Sequence, residues 1–156
     1  MSSDWMQRIL ATPHDGAALV CRLTLGLVFF PHGAQLVLGW FGGRGFMGSM
    51  HLFTHDMRIP AVFAGLAIAG QFLGALGLLV GLLGRVAAFA IAMTMAVAIA
   101  NVHWPNGFFM NWFGTQKGEG FEYHLLAIGL AIAVMIRGSG ALSLDRWLTL
   151  NRLSAR

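Results

Sequence analysis

The sequence has few charged side chains and a single cysteine, and each shortage excludes a class of protein. Lys, Arg, Asp and Glu make up 10% of the 156 residues, against about 25% in a typical soluble domain. A soluble protein of this size needs a charged outer shell that this composition does not supply. Cys21 has no second cysteine to pair with, which excludes an internal disulfide and a relay of paired thiols within the chain. We interpret Cys21 as a small apolar residue of a helix.

The sequence contains four long apolar segments. Hydrophobic residues make up 57% of the chain, and four runs reach the roughly 20 residues that a membrane-spanning helix needs. We predict spans at 16–40, 59–83, 85–104 and 120–137. The predicted fold class is therefore all-α, an integral membrane four-helix bundle that forms one domain over residues 1–156. The first run is too long for the apolar part of a signal peptide, and no small-residue cleavage site follows it.

The basic side chains predict the orientation of these spans. The side that would carry both termini holds six cations: Arg8, Arg85, Arg137, Arg146, Arg152 and Arg156. The two longer loops on the other side hold three: Arg44, Arg58 and Lys117. Because loops rich in Lys and Arg stay inside, we predict that the N- and C-termini are cytoplasmic. No basic run is interleaved with aromatic residues, so nucleic acid is not an expected partner.

Small residues recur along the second predicted span. Five glycines follow one another at intervals of three or four residues: Gly70, Gly74, Gly77, Gly81 and Gly84. This spacing keeps them on one face of a helix, where they let a neighbouring backbone approach closely. We predict a packing role, with either another helix of this chain or a second copy in a homo-oligomer as the neighbour. In the first span, Pro31 predicts a kink.

The C-terminal segment predicts a short interfacial helix. Ser143 is a good N-cap and Asp145 suits the first turn of a helix. Apolar side chains, Leu144, Trp147, Leu148 and Leu150, alternate there with basic ones, Arg146, Arg152 and Arg156. We predict an amphipathic helix on the inner membrane surface, with membrane lipid as its partner.

Polar side chains from three spans share one depth near the outer surface. They are His32, Gln35, Asn101, His103, Glu122 and His124. Ionisable groups at membrane depth are costly and need a reason, so we hypothesise a pocket with an apolar floor and a polar rim. A histidine paired with Glu122 exchanges protons near neutral pH, which suits a quinone as the ligand. The alternative is that these groups face only the lipid headgroups.

Metal and haem are further alternatives. His51 and His55, four residues apart, would share a helix face and could hold zinc, copper or iron together with His103 or His124. A haem could lie between His32 and either His103 or His124. Nothing fixes the number of metal ligands, and the histidines considered for haem lie near a loop-rich surface, so we rank both below a quinone and assign no metal-ligating residue.

Arg22 lies inside the first predicted span, a turn or two from its inner end. One interpretation is that its side chain snorkels to the inner surface. The other is that it donates hydrogen bonds to carbonyl oxygens and polar groups within the bundle. Its shallow depth makes the first interpretation sufficient.

Several short runs, in this order and spacing, resemble the DoxX family. They are RLTLG at 22–26, HG at 32–33, GWFGG at 39–43, GLLGRVAA at 81–88, NGFF at 106–109, GEGFEYH at 118–124 and SLD at 143–145. The resemblance implies a small four-helix protein of the bacterial inner membrane. Some relatives are subunits of a thiosulfate:quinone oxidoreductase, and others belong to membrane assemblies that handle oxidative stress and thiols. The family often has an acidic residue where this chain has Gln71, which leaves Glu122 as the one carboxylate within a predicted span.

Two functional hypotheses follow. The first is a membrane subunit of a quinone-linked oxidoreductase system, whose other protein subunits hold the electron donor, because this sequence contains no flavin, nucleotide or iron–sulfur motif. The second is a non-catalytic membrane anchor or assembly subunit for partner proteins. Whether the chain has any activity alone stays open.

Overall fold

The structure is a computed structural model that describes residues 4–154. The helices are α1 (Asp4–Leu10), α2 (Gly16–Val37), α3 (Gly45–His51), α4 (Ala61–Val80), α5 (Gly84–Ala98), α6 (Glu122–Arg137) and α7 (Leu144–Ser154). Single 3-10 or π-helical turns lie at Trp40–Gly42, Leu52–Asp56, Ile99–His103 and Trp104–Asn106. None of the residues 4–154 lies in a β-strand, which confirms the all-α fold class. Arg156, one of the cations used to predict the orientation, lies outside the described residues.

Three helices are long and apolar enough to cross a membrane. They are α2, α4, and α5 together with the turns that extend it to Asn106, and they correspond to the first three predicted spans. The helix α6 has 16 residues, or about 24 Å at 1.5 Å per residue, which is short of a hydrocarbon core of roughly 30 Å. The spanning of α6, and with it the four-span bundle, stays a prediction.

The four longest helices pack side by side. Both α2 and α5 contact α4 and α6. Alanines at these contacts, among them Ala75, Ala88 and Ala131, are completely buried. Such small side chains bring the backbones close together, and in lipid that close contact supplies much of the attraction between helices. Larger buried side chains, such as Phe29 and Ile91, fill the remaining space between the helices.

The glycine stripe of α4 packs against α5 of the same chain. A Cβ atom on Gly77 would lie 2.9 Å from the carbonyl oxygen of Leu82, and one on Gly70 would lie 3.1 Å from the Cβ of Ala90. These distances are too short for a larger side chain without a shift of α5 or of the turn that leads into it. Gly70 and Gly74 therefore pack on α5 of this chain, as one of the two predicted alternatives has it, whereas Gly81 and Gly84 lie close to Ser143 and Ser139 of the segment after α6.

The start of α2 is fixed by a side-chain cap. Asp15 Oδ1 accepts hydrogen bonds from the backbone N–H groups of Ala17 at 2.9 Å and Ala18 at 3.2 Å, which satisfies two donors that a helix start leaves free. Pro31 lies inside α2, and the helix continues beyond it.

Two short helices were not predicted. The helix α3 lies in the loop between α2 and α4 and packs on both of them, and α1 packs on α5 and α7. The chain comes so close to α2 before α3 that a Cβ on Gly43 would overlap the backbone of Gln35. The loop between the first two spans is therefore part of the packed fold.

The predicted C-terminal helix is present as α7. Ser143 Oγ accepts a hydrogen bond from the backbone N–H of Arg146 at 3.3 Å, as expected of an N-cap. Leu144, Trp147 and Leu150 are exposed on α7. Its position on the inner membrane surface stays a prediction.

Candidate functional site

The predicted polar belt lies at one end of the molecule, where α2 and α5 end and α6 begins. We call this the His103 end. The three helices carry its six side chains in pairs: His32 and Gln35 on α2, Asn101 and His103 on the π-helical turn after α5, Glu122 and His124 on the first turn of α6. The side chains make different contacts.

The rings of His103 and His124 are in contact. Their centroids are 4.0 Å apart and their planes are inclined at 43°. His103 Nδ1 lies 2.8 Å from the carbonyl oxygen of Glu119. Because a carbonyl oxygen only accepts, His103 carries a proton on Nδ1, and its Nε2 is free to act as an acceptor in the neutral ring.

Two buried polar atoms, one in this pair and one in the residue before His124, have no hydrogen-bond partner among the described residues. They are Nδ1 of His124 and the hydroxyl oxygen of Tyr123. His124 is only 5% exposed. Buried polar groups are nearly always paired, and leaving one unpaired costs about 1–3 kcal/mol. A ligand that supplied acceptor oxygens here would recover that cost.

Aromatic rings form a continuous row from α2 across α6 to α5. In order they are His32, Phe29, Tyr123, His124 and His103, and the centroids of successive rings are 6.2, 6.3, 5.4 and 4.0 Å apart. Phe29 is fully buried, whereas His32 is exposed at the α2 end of the row. The predicted residues His32, His103 and His124 therefore belong to one row, which Phe29 and Tyr123 complete.

Gln35 and Asn101 lie apart from this row. Gln35 Nε2 donates a hydrogen bond to the carbonyl oxygen of Phe41 at 3.2 Å, so it supports the turn by which the chain leaves α2. Asn101 is exposed. Neither side chain forms a hydrogen bond with His103 or His124 in the described part of the chain.

Glu122 and Glu119 hold the loop that precedes α6. Glu122 Oε1 accepts hydrogen bonds from the backbone N–H of Met110 at 2.9 Å and from the indole N–H of Trp112 at 3.3 Å. Glu119 Oε2 accepts one from the backbone N–H of Asn111 at 2.7 Å. The carboxylate expected to pair with a histidine therefore has the loop as its partner.

The histidine pair considered for a metal lies on α3 and the turn after it. The rings of His51 and His55 are stacked, with centroids 4.5 Å apart, and both residues are exposed. No group of three His, Cys, Asp or Glu side chains able to hold a metal ion occurs within the residues that the structure describes.

A second polar cluster lies at the opposite end of the bundle, which we call the Arg22 end. Arg22 is 1% exposed, and its guanidinium donates five hydrogen bonds to backbone carbonyls. The acceptors are Ser139 at 2.7 Å, Leu78 at 2.7 Å, Leu79 at 2.9 Å, Ala141 at 3.2 Å and Leu142 at 2.7 Å. The snorkelling interpretation of Arg22 is therefore wrong. Carbonyls left free at the end of α4 and after α6 satisfy the side chain inside the protein.

Asp145 is the buried acid of this cluster. Its Oδ1 accepts from the backbone N–H of Leu83 at 2.8 Å, and its Oδ2 accepts from that of Gly84 at 3.0 Å. The residue was predicted to stabilise the first turn of α7, but its carboxylate instead caps the first turn of α5, where the helix dipole also favours a negative charge. A residue distant in sequence thus closes the turn between α4 and α5.

Two further arginines tie the helix ends together. Arg85 donates hydrogen bonds to the carbonyl oxygens of Ala11 at 2.5 Å and Met135 at 3.1 Å. Arg137 forms a salt bridge with Asp15 at 2.7 Å, and the hydrogen bond from Arg137 holds the pKa of Asp15 below its ordinary value of 3.8. Both arginines, used above only to predict orientation, also join distant parts of the chain.

Comparison with known proteins identifies one family. The family model for DoxX matches residues 17–104, which is more than half of the chain. The match covers the region of α2 to α5 and ends before the loop of residues 107–121, α6 and α7. No curated protein matches the chain, and no solved structure matches it.

Proposed function

Because this chain belongs to the DoxX family, we propose that it is the membrane subunit of a quinone-linked oxidoreductase system. Membership of this family and the three long apolar helices already indicate a membrane protein. In the proposed arrangement, α6 also crosses the bacterial inner membrane and both termini are cytoplasmic. The His103 end then faces the periplasm, and the quinone binds there.

The observation that supports this proposal best is the pair of unpaired buried groups at the start of α6. A quinone presents two carbonyl oxygens, which are acceptors, at opposite sides of a flat apolar ring. The Tyr123 hydroxyl donates to such an oxygen, and His124 does so through Nδ1 in the tautomer that carries its proton there. The neighbouring Phe29 ring offers an apolar face of the kind that lines small-molecule sites.

The histidine pair suits the proton balance of quinone chemistry. Reduction of a quinone to a quinol takes up two electrons and two protons. His103 is half-buried and in ring contact with the buried His124, so it lies between the proposed site and the surface. A histidine ring accepts a proton on one nitrogen and releases one from the other, so such a ring is able to pass protons between the site and the surface. We assign the electron donor to a partner protein, because this sequence contains no motif for a redox centre of its own.

A binding experiment with matched variants tests the proposal. Tyr123→Phe removes only a hydroxyl, and His124→Leu removes the ring nitrogens. In nanodiscs containing a ubiquinone analogue, we expect Tyr123→Phe to weaken binding about fivefold to tenfold, the value of one hydrogen bond. His124→Leu should weaken it further. Asn101→Ala, at the same end but exposed, is the control and should bind as the wild type does. Equal quinone binding by all four proteins would refute the site.

The second candidate function is a non-catalytic anchor or assembly subunit. It is favoured by the hydrogen bonds of Gln35, His103 and Glu122 to the backbone of adjoining loops, since these groups stabilise structure without any ligand. In that case Tyr123→Phe and His124→Leu should still co-purify with partner proteins and support their activity. Loss of partner activity with retained assembly would instead favour the quinone site.

A further inference from the structure

The loop between α5 and α6 exposes an unusual number of aromatic side chains. Their exposed fractions are 66% for Trp104, 47% for Phe108, 67% for Phe109, 79% for Trp112 and 90% for Phe113. Residues 104–114 contain no ionisable side chain. A contiguous apolar surface of this kind marks a place that contacts something other than water.

This loop is held in a defined shape. The two sides of the loop are joined by backbone hydrogen bonds. The N–H of Phe121 donates to the carbonyl oxygen of Gly107 at 3.2 Å, and the N–H of Glu122 donates to that of Phe108 at 2.9 Å. Trp104 stacks on Phe121 at the base, with ring centroids 5.4 Å apart and planes inclined at 7°. These contacts hold the loop in one conformation, so the aromatic side chains are exposed at defined positions.

Several polar groups near the tip of the loop have partners within the protein. The indole N–H of Trp112 and the backbone N–H groups of Met110 and Asn111 donate to the carboxylates of Glu122 and Glu119. The Asn111 amide also exchanges two hydrogen bonds with the backbone of Gln116, at 3.1 and 3.0 Å. These donors stay paired in a less polar medium, whereas the backbone N–H groups of Phe109, Trp112 and Phe113 have no partner among the described residues. They need oxygen acceptors, which the lipid headgroup region supplies and the centre of the bilayer does not.

We propose that the tip formed by Phe109, Trp112 and Phe113 inserts into the lipid headgroup and upper acyl region of the bilayer. The third apolar helix ends at Asn106, immediately before the loop, so the tip lies where that helix meets the membrane surface. Tryptophan is enriched at this depth because its ring is amphipathic. The absence of charge from residues 104–114 fits lipid better than a protein partner attracted by charge. The inference does not depend on the proposed quinone site.

The depth of Trp112 tests this directly. In a single-tryptophan variant, Trp5, Trp40, Trp104 and Trp147 are replaced by Phe, and the protein is placed in phosphatidylcholine nanodiscs. We expect Trp112 to lose most of its fluorescence when the acyl chains are brominated near the headgroup, and to be little affected by acrylamide in the water. The matched control carries Trp112→Phe and Thr115→Trp in the same background, and it should show the opposite pattern.

Quenching of Trp112 by acrylamide to the same extent as in the control, with no loss in brominated lipid, would overturn the proposal. In that case the tip lies in water and is free for a protein partner. If the multiple tryptophan replacements prevent folding, a nitroxide on Phe113→Cys in a Cys21→Ser background gives a second measurement. Greater relaxation by oxygen than by a water-soluble nickel chelate supports insertion, and the reverse order refutes it.

Discussion

Arg22 and Asp145 meet at Ser139, whose carbonyl oxygen accepts from Arg22 Nε at 2.7 Å and whose hydroxyl donates to Asp145 Oδ2 at 2.5 Å. Both charged side chains are 1% exposed. Arg22 holds the end of α4 and Asp145 holds the start of α5. This set of contacts therefore fastens the turn between the two helices to the segment that follows α6.

Removing the buried negative charge should destabilise the protein strongly. In Asp145→Asn, Arg22 keeps its charge without a buried opposite charge, and the first turn of α5 loses an ionised cap. We expect a decrease in unfolding free energy of about 1.5–3 kcal/mol, the contribution of a hydrogen bond to a charged group, because the carboxylate accepts from Leu83, Gly84 and Ser139. Denaturant unfolding in detergent, followed by circular dichroism, is the measurement.

Arg137→Gln is the control for this prediction, because it breaks a salt bridge at the same end in which Arg137 is 60% exposed. Exposed ion pairs contribute little to stability, so its effect should be much smaller. Similar losses for Asp145→Asn and Arg137→Gln would show that the buried cluster has no special role.

Adding one methyl group distinguishes packed from open glycines. A Cβ on Gly33 would lie 2.6 Å from the Cα of Phe72, and one on Gly77 would lie 2.9 Å from the Leu82 carbonyl oxygen. We expect Gly33→Ala and Gly77→Ala each to lower the unfolding free energy by about 1–3 kcal/mol through overpacking.

Gly65→Ala is the matched control on α4, since nothing lies within 4 Å of a Cβ there. It should leave stability unchanged or raise it slightly, because alanine is the better helix former. Thermal unfolding in one detergent compares the three variants. If all three behave alike, the close contacts of α4 with α2 and with the turn before α5 do not limit stability.

Glu122→Gln should loosen the aromatic loop while leaving the helices intact. Gln keeps the shape of the side chain but loses the charge that strengthens the hydrogen bonds to Met110 and Trp112. A hydrogen bond to a charged group contributes about 1.5–3 kcal/mol, so the backbone amide of Met110, which donates to Glu122, should exchange with deuterium roughly tenfold faster or more. Lys117→Gln, in the same loop and exposed, is the control. Unchanged exchange in Glu122→Gln would show that the carboxylate does not hold the loop.

Reporter fusions test whether α6 crosses the membrane. A reporter after Arg156 should be active in the cytoplasm, and one inserted between Gly114 and Gly118 should be active outside it, because the cation count places those regions on opposite sides. The test matters because α6, with 16 residues, is shorter than α2, α4 and the helix that runs from Gly84 to Asn106. Two cytoplasmic reporters would show that α6 does not span and that the four-span arrangement is wrong.

Hydropathy predicted the long helices because lipid requires continuous apolar segments. It could not find α1 and α3, which are short and have no such run. Shared depth placed His103 and His124 together correctly, since both lie near the same ends of neighbouring helices.

The partners of Glu122 and Asp145 could not be predicted, because a loop and a distant helix start supply them through tertiary contacts. Tyr123 was missed as well. The chain has one tyrosine, so no spacing pattern set it apart, and only its place in the run GEGFEYH pointed to it.

The order of biosynthesis determines when Asp145 is able to cap α5. Leu83 and Gly84 leave the ribosome long before Asp145, so the turn between α4 and α5 forms before the acceptor of its two backbone N–H groups has been made. Three of the carbonyl groups to which Arg22 donates, those of Ser139, Ala141 and Leu142, are likewise synthesised long after Arg22 itself. A chain truncated before Leu144 should therefore insert but remain open to membrane proteases, and protection of the truncated chain equal to that of the full one would disprove this. Membrane proteases would then distinguish chains by whether the segment that contains Asp145 is present, because this last segment fastens helices that were inserted before it.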